Sequence, residues 1–327
     1  MKFKKLRLGF YPYAFARVSV MKSDLITGEM WEQYLKMGPQ EILRSIVDKS
    51  YKEISEVANT KDTAALEMAL NKSMMNSFRK LHRISDEKLQ KVIELYAQRY
   101  DIENVKTIIR GKIAGIPSAD VEQLLLPSLN YSHSFFIELM KKETPQDILD
   151  TTSFSVETRT LRELSDFEHV LDTYYMKMLL AFSDALCGQG KAFSNFITTE
   201  VMHLNLKIIM RSLREGKPSD ELLIQPTSDV LSFAGSSSIE EFARALHKKR
   251  IIETMPSGEV YADLEIALDN ALLRKESLLM HQHPLTVNVM LGFMLLKEIE
   301  VKNLKIVLKG KLFGLPSQDI ERLVVAS

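Results

Sequence analysis

Reactive sulfur is nearly missing from the chain: Cys187 is the single cysteine in 327 residues, which excludes an internal disulfide framework. No charged-then-apolar leader stands at the start, so no secretory signal is expected and a reducing cytoplasm is the matching compartment. Long apolar runs are missing too. The longest that matters, Val289 to Leu296 with Gly292 inside it, is far short of the roughly 20 residues a membrane-spanning helix needs. Net charge is absent, with 43 Lys and Arg against 43 Asp and Glu. The broad positive field with which a nucleic-acid binder displaces counterions from phosphates is therefore lacking, and no nucleic-acid partner is expected. The cluster Lys2, Lys4, Lys5 and Arg7 reads as a short solvated basic lead-in. Glycine and proline are scarce, 13 and 10, and alternating apolar stretches are few, which leaves helix as the expected element almost throughout.

Catalytic signatures are absent as well. There is no G-x-x-x-x-G-K-S/T, no G-x-G-x-x-G and no H-E-x-x-H, so phosphate cradles, dinucleotide turns and helical zinc sites have no support. His281 and His283 flank Gln282 just before Pro284. They offer two ligands where zinc needs three or four, and the segment reads as loop. Cys187, followed by Gly188 and with no histidine nearby in sequence, reads as an inert small side chain at a helix end. The acid pairs Asp101 with Glu103 and Glu298 with Glu300 are not one helical turn apart, so they read as solvated flanks rather than as acid and base. No catalytic residue, cofactor or metal is expected.

What is present is a threefold internal repeat. Asp101-Ile102-Glu103-Asn104-Val105-Lys106 is followed by Gly115-Ile116-Pro117-Ser118. The same order returns as Val201-Met202-His203-Leu204-Asn205-Leu206-Lys207 with Gly216-Lys217-Pro218-Ser219, and as Val301-Lys302-Asn303-Leu304-Lys305 with Gly314-Leu315-Pro316-Ser317. An independent block keeps step: Leu66-Glu67-Met68-Ala69-Leu70-Asn71, Phe167-Glu168-His169-Val170-Leu171-Asp172 and Leu264-Glu265-Ile266-Ala267-Leu268-Asp269 lie 101 and then 97 residues apart, against 101 and 98 for the asparagines. A third block, Gly38-Pro39-Gln40-Glu41, Thr144-Pro145-Gln146-Asp147 and Ser238-Ile239-Glu240-Glu241, places a cap or proline at a helix start with acids in the first turn.

These blocks predict an all-α chain of three helical units, residues 1–129 (with an N-terminal lead-in), 130–226 and 227–327. Residues 1–12 suit a short extended segment, and Tyr13 to Lys36 suits helix, with a break near Gly28. Each unit should carry a helix on the Leu-Glu block and a longer one on the Asn block. Ile102, Val105, Ile109 and Ile113, like Val301, Leu304, Leu308 and Leu312, are spaced to share one buried face. The middle copy differs, with His203, Leu206, Met210 and Arg214 at the matching places. Its outer turn should be exposed or turned toward a partner, which makes His203 and Arg214 the candidate partner contacts. Gly115, Gly216 and Gly314 read as left-handed helix terminators, the proline as a stop and the serine as the cap of a following helix. Asn104, Asn205 and Asn303 read as structural, one buried amide per unit bonded across a unit boundary.

Two stretches carry a family resemblance. Tyr13-Ala14-Phe15-Ala16-Arg17-Val18-Ser19-Val20-Met21-Lys22-Ser23 resembles the Tyr-x-x-Ala-Arg-Val-x-x-Met-Lys/Arg-Ser opening of the C subunits of archaeal and bacterial V-type (A/V-type) ATP synthases. Leu291 to Leu304, followed by Lys309-Gly310-Lys311-Leu312-Phe313-Gly314-Leu315, is similar to that family's closing segment and to its eukaryotic counterpart, the d subunit of the V-type ATPase. The resemblance implies a funnel of three pseudo-symmetric helical units. It also implies a non-catalytic rotor adaptor that receives the foot of the central shaft and sits on the proteolipid ring, peripheral to the membrane on its cytoplasmic face, in a machine that moves protons or sodium ions. The rival reading is a free-standing helical-repeat scaffold. Solenoids stack repeats of about 20 to 50 residues, whereas these units are about 100 residues long, which favours ring closure.

Overall fold

The computed structural model describes residues 3–49, 51–57, 62–154, 163–219, 222–256, 260–282 and 285–324, the side chains of 192 and 276–282 excepted. The chain begins with β1 (Leu6–Leu8), α1 (Pro12–Ser23), α2 (Gly28–Lys36), α3 (Pro39–Lys49), a 3₁₀ turn (Lys52–Glu56), α4 (Thr63–Arg83), α5 (Glu87–Ala114) and α6 (Ser118–Gln123). It continues through α7 (His133–Met140), α8 (Pro145–Thr151), α9 (Leu164–Ala185), β2 (Leu186–Gly188) and α10 (Lys191–Glu215). The remainder is α11 (Ser228–Ala234), α12 (Ile239–Lys248), α13 (Val260–Gln282), α14 (Val287–Leu312) and α15 (Ser317–Leu323). The all-α class read from the sequence is what the chain adopts.

Helix starts follow the capping chemistry. Asp62 accepts from the Ala64 and Ala65 amides to open α4, and Asp86 accepts from Leu89 N to open α5. Thr144 and Asp147 form a reciprocal capping box at α8, and Ser238 accepts from Glu241 N at α12. Each such cap contributes about 1 kcal/mol. The Leu-Glu block lies on α4, α9 and α13 and the Asn block on α5, α10 and α14, the two long helices being consecutive each time.

The predicted extended segment before Pro12 is β1. It pairs in parallel with β2 in the register Leu6 to Leu186, Arg7 to Cys187 and Leu8 to Gly188. Cys187 is consequently the middle residue of a strand, exposed, and not the last of a helix, because α9 stops at Ala185. The ladder also sets the direction of the long helices. Lys88, at the start of α5, donates to the Arg7 carbonyl at 3.3 Å; β2 leads into α10; and Tyr11 N donates to the Leu285 carbonyl just ahead of α14, at 2.8 Å. The three Asn-bearing helices thus start around one small ladder and run the same way.

Their faces are buried as the spacing predicts until the last turn. Ile102, Val105 and Ile109, and likewise Val301, Leu304 and Leu308, are buried, but Ile113 is 48 % exposed and Leu312 only half-buried.

Gly115, Gly216 and Gly314 terminate these helices with φ of +67°, +67° and +71°, where a Cβ would be strained. In each case the next amide closes back over the end, from Ile116 to the Gly111 carbonyl, Lys217 to Ser212 and Leu315 to Gly310. The serine of the motif is not the cap that the sequence pattern predicts, since Pro117 and Pro316 hold the cap positions of α6 and α15 and no side chain caps either helix. Packing explains a further detail. A Cβ on Gly111 would lie 2.4 Å from Val121 Cγ2, and one on Gly310 2.6 Å from Ile320 Cγ1. Bare backbone at those two places lets α6 and α15 fold down. The middle copy has Ser212 there, and Leu222, ten residues on like Val121 and Ile320, is 38 % exposed.

Candidate functional site

Position 99 lies five residues before Asn104, and the positions five before Asn205 and Asn303 are Glu200 and Glu298. These three equivalent side chains meet. The Arg99 guanidinium donates to both Glu200 oxygens at 3.0 and 3.1 Å and lies 3.5 Å from Glu298 Oε2. Arg99 Nε donates to the Tyr175 hydroxyl at 3.2 Å, and the guanidinium carbon stacks 3.9 Å over the Tyr96 ring. Tyr96 and Tyr100 donate to Glu298 at 3.0 and 2.5 Å, while Tyr175 donates to the Tyr96 carbonyl at 2.8 Å. One planar cation therefore satisfies two carboxylates contributed by α10 and α14. Burial alone would lower the Arg99 pKa, but Glu200, then Tyr175, Tyr96 and Glu298, hold it well above its ordinary value. Burial likewise raises the Tyr100 hydroxyl, and Glu298 adds to it. The cluster is a fixed charge, and it fits a structural hub better than a proton-transfer centre.

A second set of equivalent residues ties each Asn helix to the Leu-Glu helix of the next copy. Lys106 donates to Asp172, Lys207 to Asp269 at 2.7 Å, and Lys305 to Asn71 at 2.8 Å. One turn on, Arg110 meets Glu168 at 2.5 Å and Lys309 meets Glu67, whereas in the middle copy Lys207 itself also reaches Glu265 at 3.8 Å. The contacts run from α5 to α9, from α10 to α13 and from α14 back to α4, the packing partners of those helices. The same head-to-tail contact thus occurs three times, the last running from α14 to α4.

The asparagines clamp backbone. Asn104 Nδ2 donates to the Leu126 carbonyl at 2.8 Å while its Oδ1 accepts from Leu126 N at 2.6 Å. Asn205 repeats this with Ile224, at 2.9 and 2.8 Å. Asn303 is fully buried and partnered. For Asn104 and Asn205 the bond does not bridge two units as expected; it returns to the segment leaving its own helix, because the left-handed glycine folds that segment back along the helix flank.

The acids read as solvated flanks are mostly not solvated. Glu300 is buried with Lys297 (2.6 Å), accepts from Ile26 N at 2.5 Å and also accepts from the Tyr51 hydroxyl. Asp101 is buried, accepting from Ser128 and, at 2.7 Å, from Asn130. Sequence periodicity misses both because Ile26, Tyr51, Ser128 and Asn130 are non-helical residues brought in from elsewhere in the chain. Burial pushes the Asp101 carboxyl from 3.8 up to about 6, against the Ser128 and Asn130 hydrogen bonds. Between those values the folded chain holds a proton that the unfolded chain has released, so stability falls as pH rises from about 4 to about 6 and then levels off. In Asp101→Asn that component vanishes. The melting temperature of the parent protein should fall relative to the variant across this window, and parallel pH profiles would contradict the assignment.

His203 does not face outward. It is 7 % exposed, with Nε2 3.9 Å from Asp269, because the α10 turn that carries it packs on α13. Arg214 is exposed, its guanidinium 4.6 Å over the Tyr261 ring. The segment His281 to His283 lies outside the residues and side chains described. Among the described residues no three His, Cys, Asp or Glu side chains group to hold a metal ion, and no helix is long and apolar enough to cross a membrane.

The chain is thus a mainly helical protein of repeated build in which side chains at equivalent positions pair helix to helix. It belongs to the family described as ATP synthase (C/AC39) subunit, which matches residues 14–323. It is 32 % identical to the A-type ATP synthase C subunit of Methanococcoides burtonii, over 96 % of this chain and 94 % of the relative. The proteins of the same description from Methanocaldococcus jannaschii and Archaeoglobus fulgidus are each 28 % identical, over 98 % and 96 % of this chain and 88 % and 96 % of the relatives.

Proposed function

We propose that this chain is the non-catalytic rotor adaptor of an A/V-type ATP synthase, peripheral on the cytoplasmic face of the membrane, gripping the central shaft and seated on the proteolipid ring. Three helical units, residues 1–129, 130–226 and 227–327, surround an axis in this reading. The observation that carries it is the cyclic order of the equivalent contacts, Lys106 to Asp172, Lys207 to Asp269 and Lys305 to Asn71. Torque transmission requires a stiff closed body with broad partner surfaces and no reactive group. Exposed apolar side chains at both ends of the parallel helices supply such surfaces. Phe10 and Tyr13 lie near the helix starts, while Ile113, Ile116, Phe313 and Leu315 lie near the ends of α5 and α14. The end of α10 instead carries exposed Arg211, Arg214 and Lys217, which adds a salt-sensitive part to the grip.

A pull-down with purified shaft proteins and detergent-solubilised proteolipid ring tests the reading. Both should be retained at low salt, shaft retention should weaken as salt rises, and the isolated chain should hydrolyse no ATP. If the folded chain retains neither, the rotor-adaptor reading fails and a free-standing scaffold replaces it.

A further inference from the structure

The three inter-copy interfaces are equivalent in position but not in filling. At the place of His203 the other copies have Ile102 and Val301, both buried and apolar. At the place of Ala271, on α13, the second copy has Tyr174, whose ring packs on Phe154 at 5.3 Å. Where α10 meets α13 there is a cavity of about 580 Å³, lined by both His203 and Ala271, within the range of small-molecule sites.

Its polar groups are unbalanced in a specific way. His203 and Asn270 line the cavity, and His203 Nε2 and Asn270 Oδ1 are buried with no hydrogen-bond donor among the described residues. The nearest carboxylate to His203, Asp269, is taken by Lys207 and Lys302 at 2.7 and 2.9 Å. Burial, then Lys207, lowers the His203 pKa to about 4 despite Asp269, and its ring is bonded to the Leu268 backbone. At neutral pH the ring is uncharged and Nε2 is an acceptor. Two unpaired acceptors thus belong to one cavity that Leu206, Phe233 and Ile251 also line. At the mouth Lys249 is paired with Asp229 and Arg274 with Glu253, leaving Arg250 and Lys275 with no acidic partner among the described residues.

We propose that this cavity binds a small organic anion of the purine mononucleotide class. Its exocyclic amine donates to His203 Nε2 and Asn270 Oδ1, its ring lies between the apolar walls, and its phosphate meets Arg250 and Lys275. An amine supplies two N–H donors for the two acceptors of the cavity, and the cationic mouth selects against the Lys or Arg side chain of a protein partner.

The full-length chain, labelled with ¹⁵N-histidine, would be titrated with AMP, adenosine and inorganic phosphate. AMP should bind saturably and shift the His203 ring-nitrogen resonance, with adenosine and phosphate each weaker. His203→Val and Ala271→Tyr install residue types found at the equivalent places of neighbouring copies. Each should weaken AMP binding by about tenfold or more, with folding checked by circular dichroism. Three results would overturn the proposal: no saturable AMP binding at millimolar concentration, binding unchanged in folded His203→Val, or phosphate alone binding as tightly as AMP.

Discussion

Arg99→Met is expected to lower the unfolding free energy by about 3–5 kcal/mol, the range for breaking a buried ion cluster from one side. The substitution keeps an apolar stem but removes the guanidinium that stacks on Tyr96, and it leaves Glu200 and Glu298 without the cation they share. Removing a partner costs more than the pair contributes, because each stranded carboxylate has already lost its water. Arg99→Lys should cost less than Arg99→Met. It restores the charge but not the fork that reaches both Glu200 oxygens and the Tyr175 hydroxyl at once. The deficit of Arg99→Met should also shrink as pH falls, since burial raises the Glu200 carboxyl and the guanidinium that opposes this is gone, so the variant regains stability in acid. Urea unfolding at several pH values measures all of this. In a double-mutant cycle with Glu200→Gln, a coupling of about 1 kcal/mol or more is expected. A loss for Arg99→Met within about 1 kcal/mol of zero, the scale of an exposed pair such as Lys249 with Asp229, would mean that the cluster does not hold the helices together.

Helices, their caps and their glycine stops are legible in the sequence because capping and left-handed backbone are local chemistry that recurs at a fixed offset. The repeated lysine after each asparagine and the Asn or Asp closing each Leu-Glu block are also visible there, yet not that Lys106 meets Asp172 and Lys305 meets Asn71. That pairing depends on which copy lies beside which, and the pattern within one copy carries no such information. The hub is harder still. Arg99, Glu200 and Glu298 are equivalent in offset but complementary in charge, so a search for repeated identities passes over them. His203 misleads for a related reason. A polar residue in an apolar row suggests exposure, whereas burial with a carboxylate 3.9 Å away and beside a cavity is the alternative that tertiary packing chooses.

Asn205→Leu is expected to cost about 2–5 kcal/mol, more than its lost side-chain bonds alone would suggest. The reason lies in the loop it holds. Ile224 is 1 % exposed, and its N–H and C=O both end on the Asn205 amide. Leucine fits the volume but leaves two backbone groups without partners where water does not reach them. Asn205→Asp separates shape from hydrogen bonding. It keeps the acceptor for Ile224 N but sets an oxygen against the Ile224 carbonyl, so it too should destabilise. Asn104→Leu should behave alike at Leu126, with a smaller loss because that bond is only partly buried. The clamp is also positional: each amide fixes the segment that leads into the helix beyond it, which starts after Thr227 for α11 and after Ser132 for α7. Amide hydrogen exchange at Ile224 gives a readout that general destabilisation does not, because its protection should drop in Asn205→Leu well before that of the α10 core. An unchanged melting temperature in both Asn205→Leu and Asn104→Leu, with Ile224 still protected, would show that the segments are held by their apolar side chains and that the recurring amide is not what folds them back.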